Sequence, residues 1–228
     1  MTSTHYEDPD VVRRYVQGPS AFVPAYQYMQ RMAGQLLHEH IGDTGEVLVL
    51  GAGGGLELEA FATRSPGWRF MGIDPAGEML KAARERVATL GASDRVLWHQ
   101  GYIFDAPPGP FDAATCLLTL HFVPDDGEKE RTLAEIRRRL KPGSPFVLVD
   151  CCIDLAAPDA ARGLARYRNF ALESGAEPEL VDSTCVRLTT VLKMISASRE
   201  EELLAAAGYS DVELFYAGLS WRGWRASA

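Results

Sequence analysis

The sequence predicts an α/β protein in which a largely parallel sheet carries helices on both faces. Three observations lead there. Short apolar runs at 46–50, 68–73, 111–118 and 145–151 read as strands buried on both sides. Stretches with apolar residues at helical spacing lie between several of them. The two kinds of segment alternate, which sets consecutive strands parallel. No internal repeat or low-complexity linker divides the 228 residues, so one domain spanning 1–228 is expected.

Residues 6–17 read as a short amphipathic helix with Val11, Val12 and Tyr15 on one side, broken at Gly18. A longer helix over 24–39 carries Tyr28, Met32, Leu36 and Leu37 as one stripe. His38 and His40 stand two apart and share no helical face, so they read as surface residues and no metal site is expected. The strand at 46–50 runs into Gly51, Ala52, Gly53, Gly54 and Gly55, and a helix-prone stretch follows over 56–63. A second strand, 68–73, ends at Asp74. Pro75 suits the first position of a helix over 76–90, with Met79, Ala83 and Val87 on one face and Gly91 as its stop.

A third strand at 95–100 and a proline-rich loop lead to the fourth, 111–118. Asp125 or Asp126 is placed to cap the next helix, whose inner face is Leu133, Ile136 and Leu140. Lys141, Pro142 and Gly143 end it before the fifth strand, 145–151. Residues 158–195 read as helical with interruptions at Gly175 and Pro178. A helix over 200–207 stops at Gly208. Strands at 212–216 and 219–225, joined by a tight turn at Ala217 and Gly218, close the chain.

Composition narrows the function. Apolar residues make up 46% and charged residues 24%, and the net charge is −8. That balance argues against an extended nucleic-acid surface and favours a small-molecule partner. No apolar run approaches the ~20 residues of a membrane span. The N-terminus shows neither a basic nor an apolar leader region, so a cytoplasmic location is expected. Cys116, Cys151, Cys152 and Cys185 show no CxxC spacing and read as reduced thiols.

The chemistry concentrates at the glycine turn. A strand, a glycine turn and a helix present backbone N–H groups to a nucleotide. Glycine supplies the unusual backbone angles and lets a ligand approach the main chain. Asp74, 23 residues beyond Gly51, is placed to accept both ribose hydroxyls of an adenosine. The pattern is Gly51, Gly53, Gly55 with Leu56 where a nicotinamide enzyme has its last glycine. That leaves a nicotinamide oxidoreductase as a distant reading.

The GxGxG turn, Asp74, the Leu140-Lys-Pro-Gly helix exit and the closing hairpin together resemble class I S-adenosylmethionine-dependent methyltransferases. The resemblance implies a Rossmann-like seven-stranded sheet with a helical cap formed by segments 1–42 and 155–195, with S-adenosylmethionine as cofactor. Methionine would lie over the Gly51, Ala52, Gly53 and Gly55 turn, ribose at Asp74, and adenine near Gly101, Tyr102 and Ile103. Pro75, Met79 and Leu117 complete the implied cofactor set. The acceptor implied is a small molecule, and a homodimer is expected by likeness.

Phe-Val-Pro-Ala-Tyr at 22–26, Leu-Thr-Leu-His-Phe at 118–122 and the C-terminal helix and hairpin are similar to the carboxy-S-adenosylmethionine synthase family of tRNA wobble-uridine modification. That likeness implies a cofactor role for Tyr26. The chain departs from it at Tyr102, where the family has Asp, and at Leu117, where it has Asn. The family's carboxylate-gripping arginine would fall near Cys185, with Arg187 two residues away. Val49 also stands where an acid usually precedes the first glycine. These departures point to ordinary S-adenosylmethionine, with the carboxylated cofactor as the alternative. A non-enzymatic cofactor-binding regulatory subunit is another. His121, after the fourth strand, is the candidate base, Arg187 and Tyr167 are candidate substrate residues, and Phe170 and Trp221 are candidates to line an apolar acceptor pocket.

Overall fold

The computed structural model describes residues 6–9, 11, 12 and 18–228. Its centre is a seven-stranded sheet in the order β3-β2-β1-β4-β5-β7-β6. Strand β1 (Thr44–Leu50) lies between β2 (Gly67–Asp74) and β4 (Ala113–Leu117) and is parallel to both. Strands β3 (Val96–Gln100) and β5 (Pro145–Cys151) extend this parallel set on either side. The closing hairpin then folds back: β7 (Trp221–Ser227) runs antiparallel beside β5, and β6 (Ser210–Gly218) forms the edge.

Alternate side chains of a strand face opposite sides of its sheet. In β1, Val47 and Val49 enter one core while Leu48 and Leu50 enter the other. Strand β5 repeats this with Val147 and Val149 against Phe146 and Leu148. Both faces are dry, so these strands read as unbroken apolar runs. Helices α1 (Pro19–Phe22), α2 (Tyr26–Ile41), α3 (Leu56–Arg64) and α4 (Gly77–Thr89) contribute Phe22, Met29, Leu58 and Leu80 to the first core. Helix α5 (Glu128–Arg138) contributes Leu133 and Ile136 to the second. Helices α6 (Ala160–Glu173) and α7 (Pro178–Thr190) add Tyr167 and Leu188 to the first, and α8 (Ala197–Ala206) adds Leu203 and Leu204 to the second.

Several expectations shift. The buried stripe of α2 is Met29, Ala33 and Leu37; Tyr28 and Met32 are exposed, and Tyr28 stacks under Arg31. Both registers satisfy a helical period, and only packing on the sheet selects one. Pro75 does not open α4, whose N-cap is Ala76, because Asp74 already accepts the Ala76 N–H in a tight turn. The α5 N-cap is Gly127; Asp126 accepts the Glu128 N–H, and Asp125 pairs with Arg199 instead. The hairpin turns at Leu219 and Ser220, two residues later than expected, with Leu219 at φ 56°. Segment 158–195 resolves into α6 and α7, separated around Gly175 and with Pro178 at the start of α7. In the expected first helix, Tyr15 lies outside the described residues, while Val11 and Val12 are helical and Val12 packs on Ala76 and Met79.

The order of strands places the site. Connections leave β1 toward β2 on one side, while β4 lies on the other. A crevice therefore opens at the carboxyl ends of β1 and β4, where open α/β sheets bind ligands.

Candidate active site

The glycine turn occupies that crevice. Gly51, Gly53 and Gly55 have φ of 77°, 49° and 80°, a region costly for any residue with a Cβ. Space forbids a side chain as well: a Cβ on Gly51 would lie 1.9 Å from Thr119 Oγ1, and one on Gly55 would lie 2.9 Å from Ala83 Cα. The Gly51 and Ala52 N–H groups both donate to the Ile73 carbonyl at 2.9 Å, stitching the turn to β2.

Asp74 folds back over this turn. Its Oδ2 accepts the Gly53 N–H and its Oδ1 the Ala76 N–H, each at 2.9 Å. Burial raises the Asp74 carboxyl, the two amides oppose it, Glu7 adds to it, and the net shift is upward. Each oxygen keeps a lone pair for a further donor. Glu7 accepts the Gly77 N–H at 2.8 Å and the Glu78 N–H at 3.3 Å, tying the N-terminal segment to the start of α4.

A cavity of about 510 Å³ opens over the turn. Of the expected cofactor residues, Gly51, Gly53, Asp74, Pro75, Met79, Gly101, Tyr102 and Ile103 line it. Ala52, Gly55 and Leu117 are buried and off its wall. Tyr26 is off the wall too; its hydroxyl accepts from Gln30 Nε2 at 2.9 Å, and burial next to Glu57 raises its pKa. Thr119, Leu118, Phe104 and Tyr6 also line the cavity and were not anticipated. Leu118 and Thr119 belong to the 118–122 stretch already noted for its likeness, while nothing in the sequence marks Phe104 or Tyr6, which only the chain's path brings there.

A second cavity of about 270 Å³ adjoins the first, and Tyr6, Leu118 and Phe122 line both. Leu118 holds φ 56° at the exit of β4, an uncommon conformation for leucine. The candidate residues His121, Tyr167, Arg187 and Trp221 all stand on this second wall; Phe170 does not. Arg187 Nη2 donates to the Tyr6 hydroxyl at 3.0 Å, and its guanidinium lies 5.2 Å from that ring's centre.

His121 is buried, in a single turn of 3-10 helix after β4 (Leu120–Phe122). Its Nδ1 contacts Asp150 Oδ1 on β5, and its backbone N–H donates to the same oxygen at 3.2 Å. Lys129 on α5 lies fully buried behind them. Its Nζ donates to the Leu120 carbonyl at 2.7 Å and stands 4.0 Å from Asp150 Oδ2 and 3.7 Å from Glu200 Oε1. Burial favours the neutral acid at Asp150, yet His121 and Lys129 outweigh it and hold the carboxyl below its ordinary range. Glu200, buried beside Asp150, is pushed well above its range. The two buried carboxyls are therefore pushed apart: Asp150, lowered, faces the imidazole, and Glu200, raised, stands 3.7 Å from Lys129 Nζ.

A glycine turn after β1, an acid at the end of β2 and this strand order define an α/β enzyme that binds a nucleoside-containing cofactor. Comparison with known proteins names the class. Residues 48–146 match a family described as a methyltransferase domain. The chain is 32% identical over 148 residues to the phosphatidylethanolamine N-methyltransferase of Cereibacter sphaeroides, covering 60% of this chain and 70% of that protein. It is 33% identical to the demethylmenaquinone methyltransferase of Lactiplantibacillus plantarum, over 53% of this chain and 49% of that one. A ubiquinone biosynthesis O-methyltransferase of Xanthomonas campestris is 38% identical over 45% of this chain and 41% of its own. The chain thus spans about half or less of the two quinone-pathway relatives.

Among solved structures, human N-acetylserotonin methyltransferase in complex with S-adenosylmethionine superposes with a TM-score of 0.62 at 17% identity, over 99% of this chain and 58% of that one. An O-methyltransferase from Planctomyces limnophilus in complex with apigenin gives 0.60 at 19%, over 88% and 61%. At these identities the superpositions show the fold. The chain belongs to the class I S-adenosylmethionine-dependent methyltransferases.

The residues present fit that cofactor: a turn too tight for side chains, a carboxylate with lone pairs to spare, and the apolar side chains of Met79 and Ile103 on the cavity wall. The finer likeness to the carboxylated-cofactor synthases finds no matching geometry. Arg187 lines the second cavity and not the first, and Tyr26 stands off the cofactor wall. Among the described residues, no helix is long and apolar enough to cross a membrane.

Proposed function

We propose that this chain methylates a hydroxyl on a small-molecule acceptor held in the second cavity. The observation that carries this reading is the junction of the two cavities at Leu118 and Phe122, with His121 beside it on the acceptor side. When bound, S-adenosylmethionine supplies an electrophilic methyl group on sulfur. The Gly51 to Gly55 turn and Asp74 would hold its methionine and ribose, and Tyr102 and Ile103 would flank its adenine. Leu118 and Phe122 exclude water from the junction and align the acceptor, which is where such transfers gain most of their rate.

His121 completes the acceptor. Asp150 at Nδ1 favours the tautomer with the proton on that nitrogen, leaving Nε2 to accept the hydroxyl proton. The oxygen becomes a nucleophile as its proton passes to Nε2, and Asp150 stabilises the resulting imidazolium. Lys129 positions Asp150 and the Leu120 carbonyl that precedes His121.

Calorimetric titration with S-adenosylhomocysteine, with NAD as a control, tests the cofactor site. Wild-type protein is expected to bind the first and not the second. Asp74→Ala and Gly53→Val should each weaken binding at least about tenfold, the loss of one charge-assisted contact or of the backbone approach. Undiminished affinity in both variants overturns the assignment.

A further inference from the structure

The second cavity is apolar on nearly every side. Phe22 stacks on Tyr167 at 5.6 Å between ring centres, Tyr167 neighbours Trp221 at 6.3 Å, and Trp221 neighbours His121 at 6.0 Å. An aromatic wall thus runs from α1 to the candidate base. Among the described residues, no carboxylate lines this cavity and Arg187 is the one lysine or arginine on its wall.

A guanidinium carries five N–H donors in a rigid fork. Arg187 spends one on the Tyr6 hydroxyl, and among the described residues no carboxylate pairs with it. On α6 and α8, Arg168 pairs with Asp182, Arg162 with Asp159 and Arg199 with Asp125. A charge facing an apolar cavity is costly unless an anion meets it. Ser183 and Thr184 lie one helical turn before Arg187 on α7 and line the same cavity.

We infer that the acceptor is an anionic hydroxy acid: a small carboxylate with an apolar, aromatic-compatible body, its carboxylate forked by Arg187 and its hydroxyl presented to His121. This rests on the methyltransferase reading and deepens it. Neither the base nor the aromatic wall demands a negative charge on the acceptor; the unmatched fork does. The same geometry disfavours neutral analogues, because they leave the remaining donors of the half-buried guanidinium without an anion.

The test is calorimetry on the full chain saturated with S-adenosylhomocysteine. The probes are hydroxybenzoates, hydroxyphenylacetates and hydroxycinnamates, each paired with its carboxamide. At least one acid is expected to bind about 10- to 100-fold tighter than its amide, the range of a charge-assisted bidentate contact. Arg187→Gln should bring acid and amide within about threefold of each other while leaving S-adenosylhomocysteine affinity unchanged. Arg187→Lys, which keeps the charge and loses the fork, should retain part of the preference. Circular dichroism of each variant separates misfolding from lost recognition.

Amides that bind as tightly as acids overturn the inference, as does an acid preference that survives in a folded Arg187→Gln. So does a wild-type protein that binds S-adenosylhomocysteine and none of the acids at millimolar concentration. Failure to bind S-adenosylhomocysteine at all would instead refute the methyltransferase reading beneath it.

Discussion

At the scale of single residues, the proposed base chemistry rests on His121 and Asp150. The histidine follows β4 by sequence, and its position at the carboxyl end of the sheet was readable. Its partner was not, because Asp150 lies 29 residues away within an apolar strand and meets it only through the β4–β5 pairing. Replacing His121 with Gln should lower kcat/KM by about 10²- to 10⁴-fold, the usual contribution of a positioned base, with S-adenosylhomocysteine affinity intact. Asp150→Asn should act in the same direction through the wrong tautomer. Both are checked by steady-state kinetics across pH: the loss should shrink as pH rises and the acceptor hydroxyl ionises unaided. A pH-independent loss would mark a structural role for His121.

At the scale of elements, the strand, glycine turn and helix around Gly51 were legible because only glycine tolerates those angles. The crowding that enforces Gly51 was hidden, since Thr119 arrives from beyond β4. Gly51→Ala should therefore cost about 1–3 kcal/mol of stability and weaken S-adenosylhomocysteine binding, as overpacking and a left-handed Cβ combine. Thr119→Ala in the same chain should recover the part due to collision and leave the part due to backbone angle. Thermal melts of both single variants and the double variant measure that coupling; strict additivity would show that the two residues do not meet. Helix α2 teaches the converse. Its period was right and Leu36 and Leu37 do pack on the core, but Tyr28 and Met32 miss it by one residue, because Met29 and Tyr28 satisfy the spacing equally.

The whole molecule adds a pH response that no single element contains. Glu57, on the first turn of α3, is buried, and burial pushes its carboxyl up to about 8, with Thr115 opposing. An acid raised in the folded state contributes its full share of stability below the unfolded value near 4.5. That share is lost as pH rises through about 8. The wild type should therefore lose up to about 5 kcal/mol relative to Glu57→Gln between those limits. Urea unfolding of both proteins at a series of pH values checks it; parallel stability curves would show that Glu57 titrates alike in both states. The cofactor should act on the same global equilibrium. S-adenosylhomocysteine at a hundred times its Kd should raise stability by about 2.7 kcal/mol, seen as a concentration-dependent Tm, and Asp74→Ala should blunt the rise at the same concentration.

The sequence by itself determined the strand cores, the glycine turn, the acid that ends β2 and the class of cofactor. These follow from local rules: hydrophobic runs make buried parallel strands, and backbone angles near a ligand select glycine. Only the tertiary structure decided which face α2 buries, where the hairpin turns, and that Arg187, Tyr167, Trp221 and His121 share one cavity while Tyr26 stands apart from the other. Those facts depend on contacts between residues as much as 199 positions apart, such as the Trp221 indole donating to the Phe22 carbonyl. A periodic pattern records that a residue is buried. It does not record what lies against it, and the chemistry proposed for this site depends on what lies against Arg187 and His121.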